Sequence, residues 1–156
     1  MQIFHPPQAV NGMSPENVFY VADSANQTIA EGFIIPTYHP YLFPERPVNL
    51  YISIRSQGAG KDMLLGALLA RVRQLHEQTA NMRARAFAQV PQQDNAMLDF
   101  YKENGFDVNT EGKQSASYLA QISHATGTQQ IWEIILTLNE DRSGAWSDAA
   151  NVTHPV

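Results

Sequence analysis

The sequence has no cysteine among its 156 residues. Disulfide bonds, thiol catalysis and cysteine-ligated metal are therefore excluded, and we expect the protein in a reducing cytoplasm. The sequence also lacks any apolar run near the roughly 20 residues of a membrane-spanning helix, and no basic and then apolar leader follows Met1. These absences predict a soluble protein that has no membrane partner.

Charged residues are few, and their distribution is uneven. They make up 16% of the chain, hydrophobic residues make up 44%, and the length suits one globular domain. Residues 55–90 carry six basic and two acidic groups, whereas residues 91–156 carry three basic and nine acidic groups. The net charge of −5 and the lack of interleaved aromatic and basic residues disfavour nucleic acid as a partner. Because the five histidines are scattered, we expect no metal site.

Residues 50–61 combine a strand, a glycine-rich turn and the start of a helix. The β-branched and aromatic residues of the first half predict a buried strand, and apolar residues at helical spacing predict a helix over residues 63–75. Gly58 and Gly60 let the backbone of the turn come close to a ligand. The first amides of a helix lack partners and attract anions, so we expect a phosphate group at this corner.

Three phosphate-binding motifs contain such a turn, and their spacing separates them. A P-loop needs a glycine five residues before Gly60 and a hydroxyl after the lysine, but Arg55 and Asp62 stand there. A dinucleotide-binding turn needs a third glycine where Met63 stands. The pattern that fits is Arg-x-x-Gly-x-Gly, which resembles the pyrophosphate loop of the GNAT superfamily of acyl-coenzyme A dependent N-acetyltransferases.

A second stretch resembles the same family independently. In residues 90–106, a strand ending in valine is followed by a helix that closes with Phe-Tyr-x-x-x-Gly-Phe, as is typical of GNAT proteins. Asp94 stands where the family usually has asparagine, Asn95 follows one step late, and Met97 stands where a small residue is usual. The resemblance covers roughly residues 18–108.

The resemblance implies an α/β (α+β) fold with a mixed, mostly antiparallel sheet, splayed central strands and flanking helices. Residues 17–140 would form this domain, between an irregular, proline-rich arm at 1–16 and a tail at 141–156. Family members usually have a strand and one or two helices before the hairpin at 18–35, and those helices form one wall of the acceptor pocket. We expect the tail, a second subunit in a homodimer, or a portion of a longer protein to supply that wall.

Local patterns predict the remaining elements. Strands are predicted at residues 18–22, 28–35, 85–90, 117–122 and 131–138, and a helix at 94–104. Residues 36–47 contain four prolines and three aromatic residues, and they predict a stiff loop. Its aromatic residues would form either a lid on the acceptor pocket or a plug for the space of the absent helices. Arg71 and Arg73 are expected on the solvated side of the first helix.

The resemblance also implies the activity, which is transfer of an acetyl group from acetyl-coenzyme A to the amine of a small molecule or peptide. The two substrates would react directly in a ternary complex, without a covalent enzyme intermediate. The residues implied in cofactor binding are Ile52, Ile54, Arg55, Gln57, Gly58, Ala59, Gly60, Lys61, Asp94, Asn95 and Tyr101.

Two residues are candidates for catalysis. Tyr101 stands where the family's general acid protonates the leaving thiolate. Glu31 is our candidate base, although a one-residue change of register would turn it from the cleft to the core. His39, Glu45 and a chain of water molecules remain alternatives. A non-catalytic module that only binds acyl-coenzyme A is the alternative function.

Overall fold

The computed structural model describes residues 1–56, 58–80, 82–108 and 131–138. Within these ranges the chain forms seven strands and two α-helices. The strands are β1 (Gln2–Phe4), β2 (Val18–Ala22), β3 (Thr28–Tyr38), β4 (Val48–Ser56), β5 (Ala84–Pro91), β6 (Asp107–Val108) and β7 (Ile131–Leu138). The helices are α1 (Lys61–Gln78) and α2 (Asn95–Glu103), and a 3-10 turn covers Pro15–Asn17. Neither described α-helix has the length and apolar composition needed to cross a membrane.

The described strands form one sheet in the order β1-β2-β3-β4-β5-β7-β6. Among the described strands, only β4 and β5 run parallel to each other, and α1 supplies the crossover that a parallel pair requires. The other neighbouring strands are antiparallel. The predicted mixed, mostly antiparallel fold is therefore confirmed. The strand predicted at 117–122 and the tail predicted at 141–156 lie outside the described residues.

Helix α1 packs on one face of the sheet because apolar side chains recur along one side of it. Its buried apolar side chains are Leu64, Leu65, Leu68, Leu69 and Val72. Gly32 of β3 lies beneath this helix, and a Cβ there would be 2.8 Å from the Ser53 carbonyl oxygen and 3.2 Å from two leucine side chains of α1. The glycine therefore lets α1 lie close to β3, which fixes the beginning of the helix beside the end of β4.

The N-terminal segment is more regular than the irregular arm predicted for residues 1–16. β1 pairs with β2, and Val10 and Met13 exchange two backbone hydrogen bonds of 3.1 and 2.8 Å. Between them, Asn11 and Gly12 have φ angles of 50° and 80°, as in a two-residue hairpin turn with both central residues left-handed. The prediction was wrong because a strand of three residues is too short to show alternation. The Asn-Gly dipeptide is the signal that could have indicated the turn.

Strand β3 continues through Pro36 to Tyr38, three residues beyond the predicted end. β2 pairs with β3 only as far as Phe33, and no other described strand pairs with β3 on that side. Proline lacks an N–H group and is tolerated at such an edge. The loop predicted at 36–47 is consequently shorter and begins at His39.

Candidate active site

Strands β4 and β5 pair with each other only over their first halves. The register ends at Tyr51 opposite Phe87. Beyond that point, among the described strands, Ile52–Ser56 pairs only with β3, and Ala88–Pro91 pairs only with β7. The two strands therefore diverge and leave main-chain groups of both facing a common gap.

A cleft of about 250 Å³ occupies this gap, and we name it the strand cleft. Its lining residues are Ile52, Ser53, Ile54, Arg55, Ser56, Gln89, Pro91, Asp94, Met97 and Tyr101. One wall is the unpaired edge of β4, and an extended ligand with amide groups can pair with such an edge as an added strand. The predicted residues Ile52 and Ile54 both belong to this wall.

The glycine-rich corner between β4 and α1 is exposed and held by its own hydrogen bonds. The Ser56 hydroxyl donates to the Ala59 carbonyl oxygen at 2.8 Å and accepts from the Gly58 amide at 3.1 Å. Gly58 and Gly60 have φ angles of 125° and 86°, which favour glycine. Gln57, a predicted ligand residue, lies outside the described residues.

The corner suits an anion because α1 begins at Lys61, directly after it. The first amides of an α-helix have no carbonyl partner within the helix and lie at the positive end of its dipole. A Cβ at Gly60 would lie 3.1 Å from the Val21 side chain, and the φ angle of 86° would strain any larger residue there. The predicted residues Ala59 and Lys61 complete the corner, which fits a diphosphate.

Arg55, Lys61 and Arg85, three of the basic residues counted within 55–90, do not converge on this corner. Arg55 forms an ion pair of 3.3 Å with Glu31, and the Lys61 ammonium lies 4.9 Å from the centre of the Phe100 ring. Arg85 is buried on β5 and pairs with Glu133 at 3.6 Å. The main-chain amides are therefore the groups at this corner that are suited to an anion.

The interpretation of Arg71 as a solvated side chain is wrong. Only 15% of its side chain is exposed, because it faces the 3-10 turn of the N-terminal segment. Its Nε donates to the Asn17 side chain at 2.8 Å, and its guanidinium lies 3.8 Å from the Glu16 carboxylate. Arg71 therefore ties the N-terminal segment to α1.

Tyr101 lines the strand cleft from α2. Its ring is buried between Phe100 and Phe106, with centroid distances of 5.6 and 5.1 Å. Burial raises the pKa of Tyr101 above its usual value, and the nearby Tyr51 raises it further. The phenol therefore keeps its proton at neutral pH, which is the state required of a proton donor.

Glu31 faces away from α1. Neighbouring residues of a strand point to opposite faces, and the adjacent Gly32 lies under the helix. Glu31 lines a second pocket of about 260 Å³, which we name the arm pocket because the N-terminal segment forms part of it. The arm pocket is lined by Val10, Asn11, Met13, Val18, Tyr20, Glu31, Gly32, Phe33, Ser53 and Arg55. Tyr101 and Glu31 thus lie in different cavities, which share Ser53 and Arg55.

Comparison with known proteins agrees with this geometry. No protein-family model and no curated protein matches the sequence. Among solved structures, a point mutant of spermidine N-acetyltransferase SpeG from Vibrio cholerae matches with a TM-score of 0.50 and 17% identity, over 83% of this chain and 69% of that one. The chain has the GNAT fold. A GNAT-family acetyltransferase from Streptococcus pneumoniae is 13% identical, with a TM-score of 0.49 over 81% of this chain and 70% of that one.

Within this GNAT fold, the residues that depart from the sequence pattern have clear positions. Asp94 precedes α2, and its carboxylate accepts from the Met97 amide at 3.1 Å, as a helix cap does. Asp94 and Met97 line the strand cleft, whereas Asn95, the first residue of α2, is not among the described residues that line it.

The aromatic side chains around the loop that begins at His39 are largely exposed. Tyr41 is 97% exposed, and Tyr38 and Leu42 are also exposed, so the interpretation of the loop as a plug is wrong. Phe43 lies against Arg85, with 5.8 Å between the ring centre and the guanidinium carbon. No residue of the loop after Tyr38 is among the described residues that line the two cavities.

Proposed function

We propose that this protein is an N-acetyltransferase that moves an acetyl group from acetyl-coenzyme A to the amine of a small molecule or peptide. The observation that carries the proposal is the strand cleft, which opens between two diverging strands and ends beside an anion-binding corner. A long cosubstrate with a diphosphate at one end and amide groups along its arm suits both features together.

In this proposal the main chain binds the cosubstrate. The amides from Ala59 to Lys61 would hold the diphosphate, since the Gly58 amide already donates to Ser56. The unpaired edge of β4 at Ile52 and Ile54 would pair with the amide-bearing arm. A main-chain amide of the same edge would donate to the carbonyl oxygen as negative charge develops there. Binding both substrates side by side would supply on the order of 7 to 11 kcal/mol of the barrier reduction.

Two side chains would move the protons. Glu31 would accept a proton from the acceptor ammonium ion, directly or through water, and release it to solvent. The amine nitrogen then forms a bond to the thioester carbon as the carbon–sulfur bond breaks. Tyr101 would donate its phenol proton to the leaving sulfur, and the second proton lost by the nitrogen would restore the phenol. The products are an amide, a free thiol and one proton.

A calorimetric titration with coenzyme A tests the binding site. We expect Ala59→Asp to weaken binding by at least about tenfold, because it places a carboxylate beside the diphosphate. Ala70→Asp is the matched control, since Ala70 lies on the exposed side of α1, away from the corner. Equal affinity of the two variants would overturn the assignment of the corner.

A non-catalytic acyl-coenzyme A binding module is the second candidate. The position of Glu31 favours it, because Glu31 pairs with Arg55 and lies outside the strand cleft. Release of free thiol from acetyl-coenzyme A, measured with a panel of amines, separates the two functions. Binding without release in the presence of any amine would favour the module.

A further inference from the structure

The arm pocket lies beside the strand cleft on the sheet. Ser53 and Arg55 of β4 line both cavities, so a molecule in the arm pocket is next to the place where the strands diverge. The other lining residues come from β2, β3 and the hairpin turn of the N-terminal segment. This segment therefore forms one wall of the arm pocket.

The N-terminal segment is fixed firmly enough to act as such a wall. The turn from Val10 to Met13 is closed by two backbone hydrogen bonds, of 3.1 and 2.8 Å. Before the turn, β1 is paired to β2, and His5 Nδ1 lies 2.9 Å from the Pro15 carbonyl oxygen and 2.8 Å from that of Val18. After the turn, Asn17 is held by Arg71 of α1.

The lining of the arm pocket is mainly apolar and contains one acidic group. Its apolar and aromatic lining residues are Val10, Met13, Val18, Tyr20 and Phe33. Glu31 is the one carboxylate among the described lining residues, and Arg55 is the one permanent cation. Their ion pair is exposed, with 45% of the Glu31 side chain and 86% of the Arg55 side chain accessible, so an incoming ammonium ion can replace Arg55 at little cost.

We propose that the arm pocket holds the acceptor, and that this acceptor is an amine with a single positive charge and an aromatic or branched apolar body. This inference rests on the proposed acetyltransferase function. The ammonium group pairs with Glu31, and the body lies against Tyr20, Phe33 and Met13. A polyamine is disfavoured, because its further ammonium groups would meet apolar side chains and the cation of Arg55 without a second carboxylate.

The test compares two amines as acceptors. Phenethylamine carries one charge and an aromatic body, whereas spermidine carries several charges and no ring. We expect kcat/KM, measured by thiol release from acetyl-coenzyme A, to be at least about tenfold higher for phenethylamine, as one buried apolar group or one unpaired charge produces differences of this size. Equal values, or a preference for spermidine, would overturn the inference.

A variant then assigns the preference to the arm pocket. Met13→Glu adds a second carboxylate there, and we expect the ratio of the two kcat/KM values to shift toward spermidine by at least about tenfold. Leu42→Glu makes a comparable change on the exposed loop, outside the pocket, and its ratio should remain that of the unaltered chain. An unchanged ratio in Met13→Glu would also overturn the inference.

Binding measurements distinguish this failure from failure of the proposed function. Phenethylamine should bind to the complex of the protein with coenzyme A in calorimetric titration, and Met13→Glu should leave the affinity for coenzyme A itself unchanged. Turnover with an unexpected amine preference contradicts only the inference that the arm pocket holds the acceptor. Absence of both coenzyme A binding and thiol release contradicts the acetyltransferase function, and the inference with it.

Discussion

Tyr51 and Phe87 form the last pair between β4 and β5, and the centres of their rings lie 5.3 Å apart. After this pair the strands separate, and the strand cleft is lined by residues that follow it on both strands. Phe33 on β3 continues the row, with its ring centre 6.2 Å from that of Tyr51. Aromatic contacts therefore connect three strands at the point where backbone pairing between β4 and β5 stops.

Removing the Phe87 ring should weaken the contact between β4 and β5 at the point where the two strands separate. We expect Phe87→Leu to lower the free energy of unfolding by about 1 kcal/mol, because an aromatic pair contributes about 0.5 to 1.5 kcal/mol beyond its buried area. Coenzyme A should also bind more weakly in calorimetric titration, since the separation of the strands is less firmly held. Phe4→Leu removes a similar ring pair, 5.4 Å from Tyr20, at the far edge of the sheet. If Phe4→Leu weakens coenzyme A binding as much, the Tyr51–Phe87 contact has no particular role in binding coenzyme A.

The close approach of α1 to β3 predicts a large cost for Gly32→Ala. The added Cβ would lie 2.8 Å from a backbone oxygen, which cannot move aside as a flexible side chain can. We expect a loss of about 1 to 3 kcal/mol in urea unfolding. Gly12→Ala is the control: its φ of 80° is strained for alanine, but nothing lies within 4 Å of the new Cβ. A smaller loss in Gly32→Ala than in Gly12→Ala would contradict the packing argument.

The fold was predictable from sequence where side-chain patterns are long and regular. Ile131–Leu138 and Val18–Ala22 are rich in β-branched and aromatic residues, and α1 has leucines at helical spacing. The corresponding elements form as predicted. The turn at Asn11 had a local signal in its Asn-Gly dipeptide, whereas β1 escaped prediction because it depends on pairing with β2. No local pattern of three residues reveals such pairing.

The site was less predictable than the fold, because side-chain partners depend on tertiary contacts. The sequence correctly indicated the turn between β4 and α1 through Gly58 and Gly60. It indicated the helix of Tyr101 through the Phe-Tyr-x-x-x-Gly-Phe pattern. The partners of the basic side chains could not be predicted from the sequence. Counting charges along the chain does not show that Arg71 donates a hydrogen bond to Asn17 or that Arg85 pairs with Glu133. Strand register alone decided the direction of Glu31.

Two of the Arg–Glu pairs among the described residues differ sharply in exposure, and their removal should have different costs. Arg85 and Glu133 are 8% and 6% exposed, whereas Arg55 and Glu31 are 86% and 45% exposed. We expect Glu133→Gln to lower the free energy of unfolding by about 3 to 5 kcal/mol, because it leaves the Arg85 charge buried beside a neutral group.

The matched control is Glu31→Gln, which makes the same substitution at the exposed pair. It should cost no more than about 1 kcal/mol, because solvent screens both charges. Both values can be measured by urea unfolding at neutral pH. Similar costs for the two substitutions would show that the buried pair is not a main support of β5 and β7.

Tyr101→Phe tests proton donation with almost no change of shape. We expect kcat for thiol release to fall by about 10² to 10⁴, the usual contribution of a positioned general acid, while the affinity for coenzyme A changes little. Tyr41→Phe, at an exposed ring that lines neither cavity, serves as the control for loss of a phenol group. A rate for Tyr101→Phe equal to that of the unaltered chain would remove Tyr101 from the chemistry.

Burial of Tyr101 also predicts how stability depends on pH. Because burial raises its pKa above the ordinary value of about 10, the folded protein holds the phenol proton more tightly than the unfolded chain. This contribution to stability is complete below about pH 10 and is lost as the pH rises through the folded pKa. Burial also raises the pKa of Tyr51, which therefore acts in the same direction.

We expect the free energy of unfolding, measured with urea, to fall less between about pH 9 and pH 11 in Tyr101→Phe than in the unaltered chain. Tyr41→Phe, at an exposed ring, should behave as the unaltered chain does. The same fall in all three proteins would contradict the assigned burial of the phenol.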